Sequence, residues 1–338
     1  MSDGSDSRGL GWAHGALSVQ RLGAMLAPLT FVLANGRQVS PLHIAPWADK
    51  PEAAGLPGIL TRLRGEWPCV PFGYSVTAEG WPAEWESVIG EPETDEEVHG
   101  HSSNHPWNFL PDDGTSLRLA LDYPAASPVA RVERTITPDP ERPAVDLAFS
   151  IAVRQPCRLP IGLHPVFRLP AEVGSARIEL GRDSHGFTYP GTVELGAALF
   201  APDRRFLSLA EVPARAGGSV DAGAVPFSED VEELLQIEGI GGRAALANRA
   251  EGYRVTLTWQ AEHFPSLLLW YSNRGRKGAP WSGRHVAIGI EPICSPFGLG
   301  PATARADNPL ALSGVLTAFD FSPDRPFTTR YRIEAETL

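Results

Sequence analysis

Two short segments, more than a hundred residues apart, each place an acid/base side chain beside a proline among apolar, strand-like residues. One is Leu159-Pro160-Ile161-Gly162-Leu163-His164-Pro165-Val166-Phe167, and the other is Ile288-Gly289-Ile290-Glu291-Pro292. A histidine and a carboxylate held in this way can move protons at two points of one substrate. Pro165 restricts His164 to extended backbone, which places the imidazole at a strand end where it can face a cleft. Glu291 closes an apolar strand, so its carboxyl must be paired, protonated or turned towards a cleft, because burying an unpaired charge is costly. Partial burial would raise its pKa towards neutrality, as suits a general base or acid. The structural alternatives are a satisfied core histidine and a buried Arg–Glu pair.

A third segment, Val98-His99-Gly100-His101-Ser102-Ser103-Asn104-His105-Pro106-Trp107, carries three histidines in seven residues. On a strand, His99 and His101 would share one face, and imidazole suits zinc. No cysteine or clear Asp/Glu completes a metal site here, and the acidic run from Glu91 to Glu97 reads as a solvated loop. No metal is therefore expected. Trp107 and Trp270 are candidate apolar platforms for a ring-shaped ligand, against the alternative that each belongs to the core.

The elements that must position these groups are strands. Leu117, Leu119 and Leu121 alternate, as do Val145 to Val153 and Tyr253 to Trp259. Ser266-Leu-Leu-Leu-Trp-Tyr-Ser272 suits a strand buried on both faces, residues 284–291 lead into the carboxylate, and 327–335 supply a final strand. The 34 glycines and 32 prolines mark many turns. Short helices are expected near 54–64 and 229–236. No βαβ alternation is sustained, so the 338 residues read as one large antiparallel β-sandwich with few short helices. The expected boundaries are a loose N-terminus over 1–15 and one domain over 16–338.

Composition narrows the partners. A net charge of −11 argues against nucleic acid and anionic membrane. The basic run Arg274-Gly-Arg-Lys277 reads as a solvated loop. Three widely spaced cysteines, with no signal-peptide pattern and no long apolar run, point to reduced thiols in a soluble, cytoplasmic protein. Gly239-Ile-Gly-Gly-Arg-Ala244 fits the dinucleotide fingerprint by letter, but a glycine-rich turn between antiparallel strands explains it better, so no cofactor is expected.

Taken in order, His99-Gly100…Pro106-Trp107, Leu159 to Phe167 and Ile288 to Pro292 resemble the segments of the aldose 1-epimerase (galactose mutarotase-like) family. The resemblance runs from about Leu56 to Glu334. It implies the supersandwich fold of that family, a sugar cleft on one sheet and cofactor-free interconversion of α and β anomers. It also implies His164 as acid, Glu291 as base and His99 as a substrate-binding group. Relatives often carry arginine at the position of Ser103 and soon after a Pro-Phe pair, where this chain reads Pro71-Phe72-Gly73-Tyr74-Ser75, and arginine is the usual bidentate anchor for phosphate. His101 and His105 are candidate replacements, and Asp230 is the candidate for the family's substrate-contacting aspartate. The chain is expected to act as a monomer or homodimer on a small sugar. A non-catalytic sugar-binding protein on the same fold and a metal-dependent sugar isomerase built on His99, His101 and His105 stay open as alternatives.

Overall fold

In the computed structural model, which describes residues 6–92, 96–181 and 184–338, the alternating segments form two large antiparallel sheets. In the nine-stranded sheet the order is Ala224–Val225, Ala176–Leu180, Arg243–Asn248, Tyr253–Trp259, Phe327–Thr337, Ala144–Val153, Val129–Pro138, Leu117–Asp122 and Asn108–Phe109. The eight-stranded sheet runs Arg205–Phe206, His185–Thr188, Val231–Glu238, Ser266–Asn273, Val286–Cys294, Ile161–Leu163 and Pro68–Cys69, with Val166–Arg168 also paired to Val286–Cys294. This is the large antiparallel β-sandwich that the sequence predicts. Among the described residues no helix is long and apolar enough to cross a membrane.

The two-residue period of the strands sorts their side chains. Leu147, Phe149 and Ile151 of the nine-stranded sheet share one core with Leu235, Ile237, Leu267, Leu269, Ile288 and Ile290 of the other. The alternate positions Leu268, Trp270, Ala287 and Ile293 lie on the outer face of the eight-stranded sheet and pack with Trp47, Trp67, Phe72, Trp85 and Phe297. Every residue of Ser266–Asn273 is consequently buried, which is why it reads as an unbroken apolar run.

Three expectations change. Residues 229–236 do not form a helix: Val231–Glu238 is a central strand. Its acidic letters favour a helix, but each buried polar group has a tertiary partner that only the strand reaches. Glu233 accepts from the Leu199 and Phe200 N–H groups at 2.6 and 3.0 Å, and Glu238 accepts from Gln236 and Ser266 at 2.9 Å each. The Gly239–Gly242 turn does not join neighbours of one sheet; it carries the chain from Val231–Glu238 to Arg243–Asn248 in the other sheet. Within the segment expected to be loose, Ser7–Trp12 is a strand paired with Gly15–Gln20 at the edge of a four-stranded N-terminal sheet.

Candidate active site

The cleft lies on the outer face of the eight-stranded sheet, and strand register builds its floor. Gly162 pairs with Ile293 and Val166 with Gly289, one unbroken register that sets His164 directly opposite Glu291. On its other side His164 takes the position opposite Trp67, donating its backbone N–H to the Trp67 carbonyl at 2.9 Å. Leu268 pairs with Glu291 and Gln236 with Leu268. Trp67, His164, Glu291, Leu268 and Gln236 thus form one row across the sheet with side chains on the same face. The prolines act on this seam. Ile290 N–H donates to the Pro165 carbonyl at 3.0 Å, but Pro165 has no N–H to return. Backbone alternation turns the missing N–H of Pro292 to the same side, although the strand continues through it to Cys294.

His164 and Glu291 are both buried, with Nδ1 and Oε1 3.5 Å apart. His164 Nδ1 and both Glu291 carboxyl oxygens have no hydrogen-bond partner among the described residues. The Trp67 indole stacks on the imidazole, centroids 4.2 Å apart at 17°. Burial pushes the Glu291 carboxyl well up, and burial, reinforced by His99, pushes the His164 imidazole well down. Both shifts disfavour the charged forms. Gly289 makes room for the carboxylate: a Cβ there would lie 2.1 Å from Glu291 Oε1.

His99 reaches the same space from a turn rather than a strand. Its φ of 58° is left-handed, which starts the short helix Gly100–Asn104 and separates it from His101. The following residue must be glycine, because Gly100 has φ 76° and a Cβ there would lie 2.4 Å from the Val70 carbonyl. His99 N–H donates to the Gly73 carbonyl at 2.9 Å, and Gly73 N–H approaches His99 Nδ1 at 3.4 Å. Nε2 is then the ring's donor. Burial, with Arg276 nearby, lowers the His99 pKa to about 4, so the ring is neutral at pH 7. It stands edge-on to His164 at 4.7 Å.

These groups line a cleft of about 380 Å³ whose walls include Tyr74, Trp81, Trp270, Trp281 and Arg276. Arg276 is one residue that sequence reading placed wrongly: it is not part of a freely solvated loop. Its Nε lies 3.1 Å from the buried Glu232 carboxylate, and its guanidinium stands 4.6 Å over the Trp281 ring. Glu232 also accepts from Trp270 Nε1 at 2.6 Å and Ser272 Oγ at 2.9 Å. One buried carboxylate therefore fixes both the cation and an aromatic wall. Trp67 was missed as well. It precedes a two-residue strand, too short to show a period.

The other candidates lie elsewhere. Trp107 is fully buried in the core, its Nε1 donating to the Ser102 carbonyl at 2.8 Å. Asp230 sits before its strand, salt-bridged to Arg274 at 2.9 Å and to Lys277. His101 and His105 point away from the cleft, towards Glu97, which is drawn out of the acidic run expected to be solvated. Ser75 and Ser103 are used by the scaffold: Ser75 N–H donates to Glu96 at 2.8 Å, and Ser103 Oγ donates to the His99 carbonyl at 2.7 Å.

No family model matches the sequence, and no curated relative matches it. Solved structures match over nearly the whole chain. A GalM/aldose epimerase homologue from C. elegans is 13% identical, with a TM-score of 0.64 over 98% of this chain and 99% of that one. The Slr1438 protein from Synechocystis sp. is 14% identical, with a TM-score of 0.65 over 100% and 98%. A galactose mutarotase-like protein from Lactobacillus casei is 13% identical, with a TM-score of 0.58 over 98% and 100%. The chain thus has the fold of galactose mutarotase-like proteins, supported by structure and not by sequence identity.

Proposed function

We propose that the cleft interconverts the α and β anomers of an aldose by general acid/base ring opening, with His164 and Glu291 as catalytic residues. The observation that carries this reading is the cross-strand pair itself: two buried groups, 3.5 Å apart, each with polar atoms otherwise unpartnered, facing one cleft. A cyclic hemiacetal opens when a base takes the C1 hydroxyl proton and an acid protonates the ring oxygen. The pair holds one proton between them. With the proton on His164, Glu291 is the base and His164 the acid; closing the ring after rotation about C1–C2 reverses the roles. The reaction has no redox step and no net hydrolysis, so it calls for no cofactor. Neutral His99 donates through Nε2 to a sugar oxygen. Trp270 and Trp281 offer apolar faces to the ring, and Arg276 adds a cation for a hydroxyl or an anionic substituent. A single domain that includes the Ser7–Trp12 strand, acting in the cytoplasm as a monomer or homodimer, goes with this reading.

The test is anomer exchange by NMR on a panel of free aldoses and their 6-phosphates. Exchange above the spontaneous rate, lost in His164→Asn, is expected for at least one sugar. Saturable binding with no catalysed exchange would instead establish a sugar-binding protein. Gly289→Ala probes the geometry. Its Cβ would meet the far end of the Glu291 side chain, which can swing aside, and would lie 3.0 Å from the Trp270 Cβ, so the neighbouring strand must also give slightly. A displacement of about 1 Å is expected to lower kcat/KM by about 10²-fold while the protein stays folded, with a lower melting temperature. Unchanged turnover would show that the Glu291 rotamer is not critical.

A further inference from the structure

We propose that Glu97, His101 and His105 form a binding site for a divalent transition metal ion of the zinc type, outside the cleft and behind the turn that carries His99. The three donor groups converge. His101 Nδ1 lies 3.4 Å from Glu97 Oε2, and His105 Nε2 lies 2.9 and 3.2 Å from the two Glu97 oxygens. All three offer donor atoms within 4.8 Å of one another. A tetrahedral zinc ion with bonds of about 2.0–2.1 Å holds its ligand atoms about 3.4 Å apart. The Glu97–imidazole separations are already near that edge length, and an ion would need the two stacked rings to turn their nitrogens onto it. Carboxylate and imidazole are donors that zinc accepts together.

The donors are also held in place. Only His101 lies on the helix Gly100–Asn104; Glu97 precedes the left-handed turn at His99 and His105 follows the helix in extended backbone, and the turn and helix together fold the two ends of the segment towards each other. The His101 and His105 rings stack at 3.8 Å, and the Tyr123 ring lies 4.8 Å from His101 with its hydroxyl fixed on the Val70 carbonyl at 2.7 Å. Asn104 Nδ2 donates to the Val98 and Gly100 carbonyls at 2.8 Å each, tying the helix back onto the turn. Such supporting contacts orient metal ligands. The His105 and Glu97 side chains are 41% and 36% exposed, so an ion can enter from solvent and keep a water ligand. Because Glu97 and His105 flank His99 in sequence, the ion would clamp both ends of the segment that presents His99 to the cleft. This inference does not depend on the catalytic reading. The competing account is a carboxylate bridging two imidazoles through protons alone.

Chelator-stripped full-length protein, titrated with Zn²⁺ at neutral pH by calorimetry, distinguishes the two. One equivalent is expected to bind. His105→Ala and Glu97→Gln are each expected to weaken binding about tenfold or more, whereas His185→Ala, at a histidine beside the Arg205–Phe206 edge of the eight-stranded sheet, leaves it unchanged. Zinc is also expected to slow amide hydrogen exchange over residues 98–104 in the parent and not in His105→Ala. Both altered side chains are partly exposed, so the variants keep the fold. No saturable binding, or equal binding in parent and variants, would overturn the proposal in favour of the proton-only bridge.

Discussion

Glu291→Gln is expected to reduce catalysed anomer exchange by about 10²–10⁴-fold, the usual contribution of a general acid/base group, and at the same time to make the protein more stable at neutral pH. The two effects share one cause. Glu291 lies in a buried row between His164 and Leu268, and neither carboxyl oxygen has a hydrogen-bond partner among the described residues. Burial raises its pKa in the folded chain above the unfolded value of about 4.3. Below that unfolded value both states are protonated, and the carboxyl, an isostere of the amide, costs nothing extra. As pH rises past it the unfolded chain ionises first, so the folded state loses stability until the raised folded pKa is reached. Glutamine has no such loss. The stability gap between variant and parent should be close to zero near pH 4 and grow towards about 1–3 kcal/mol at pH 7. Denaturant midpoints across that range, at constant slope, measure it. A parent more stable than the variant at pH 7 would mean that Glu291 is ionised and paired with an imidazolium at His164. That result would leave the kinetic prediction standing and reverse the account of the resting proton.

Much of this site was legible in the sequence because strands report their faces. His164 and Glu291 each stand in an apolar run with a proline beside them, and the period of two puts both on a face that the core residues Leu163 and Ile290 do not share. What the letters cannot give is register. Nothing in either segment says that 164 falls opposite 291; that follows from pairing across more than a hundred residues. His99 was legible only as part of a His-Gly pair, and the reason for the glycine, a left-handed turn pressed on the Val70 carbonyl, is tertiary. The period misled where burial overrode local preference. Val231–Glu238 has the composition of a helix, and its carboxylates are tolerated in a strand only because Trp270, Ser272, Ser266 and backbone N–H groups meet them. Arg276 was illegible for the opposite reason: a basic loop looks solvated until the buried Glu232 that captures it is seen.

The second large effect is expected far from the cleft floor, at Arg134. Its side chain is fully buried on Val129–Pro138 of the nine-stranded sheet, donating to the Ala24 carbonyl at 2.6 Å and to the Glu66 carboxylate. Glu66 also accepts from the Tyr331 hydroxyl at 2.7 Å. Arg134→Ala removes the partner and leaves a carboxylate buried without its cation, at an expected cost of about 3–5 kcal/mol. Replacing both groups together, Arg134→Met with Glu66→Leu, should cost clearly less than the single change, since no stranded charge remains. A double variant as unstable as the single one would show that shape, not charge, is what matters there. The consequence for the site follows from alternation. Glu66 and Trp67 are adjacent, so while Glu66 points into the core between the sheets, Trp67 points outward and stacks on His164. The ion pair thus anchors the backbone that holds the imidazole's stacking partner. In the double variant, folded but lacking that anchor, anomer exchange is expected to fall through kcat with KM little changed, because the catalytic pair loses its alignment while the cleft walls at Trp270, Trp281 and Arg276 remain.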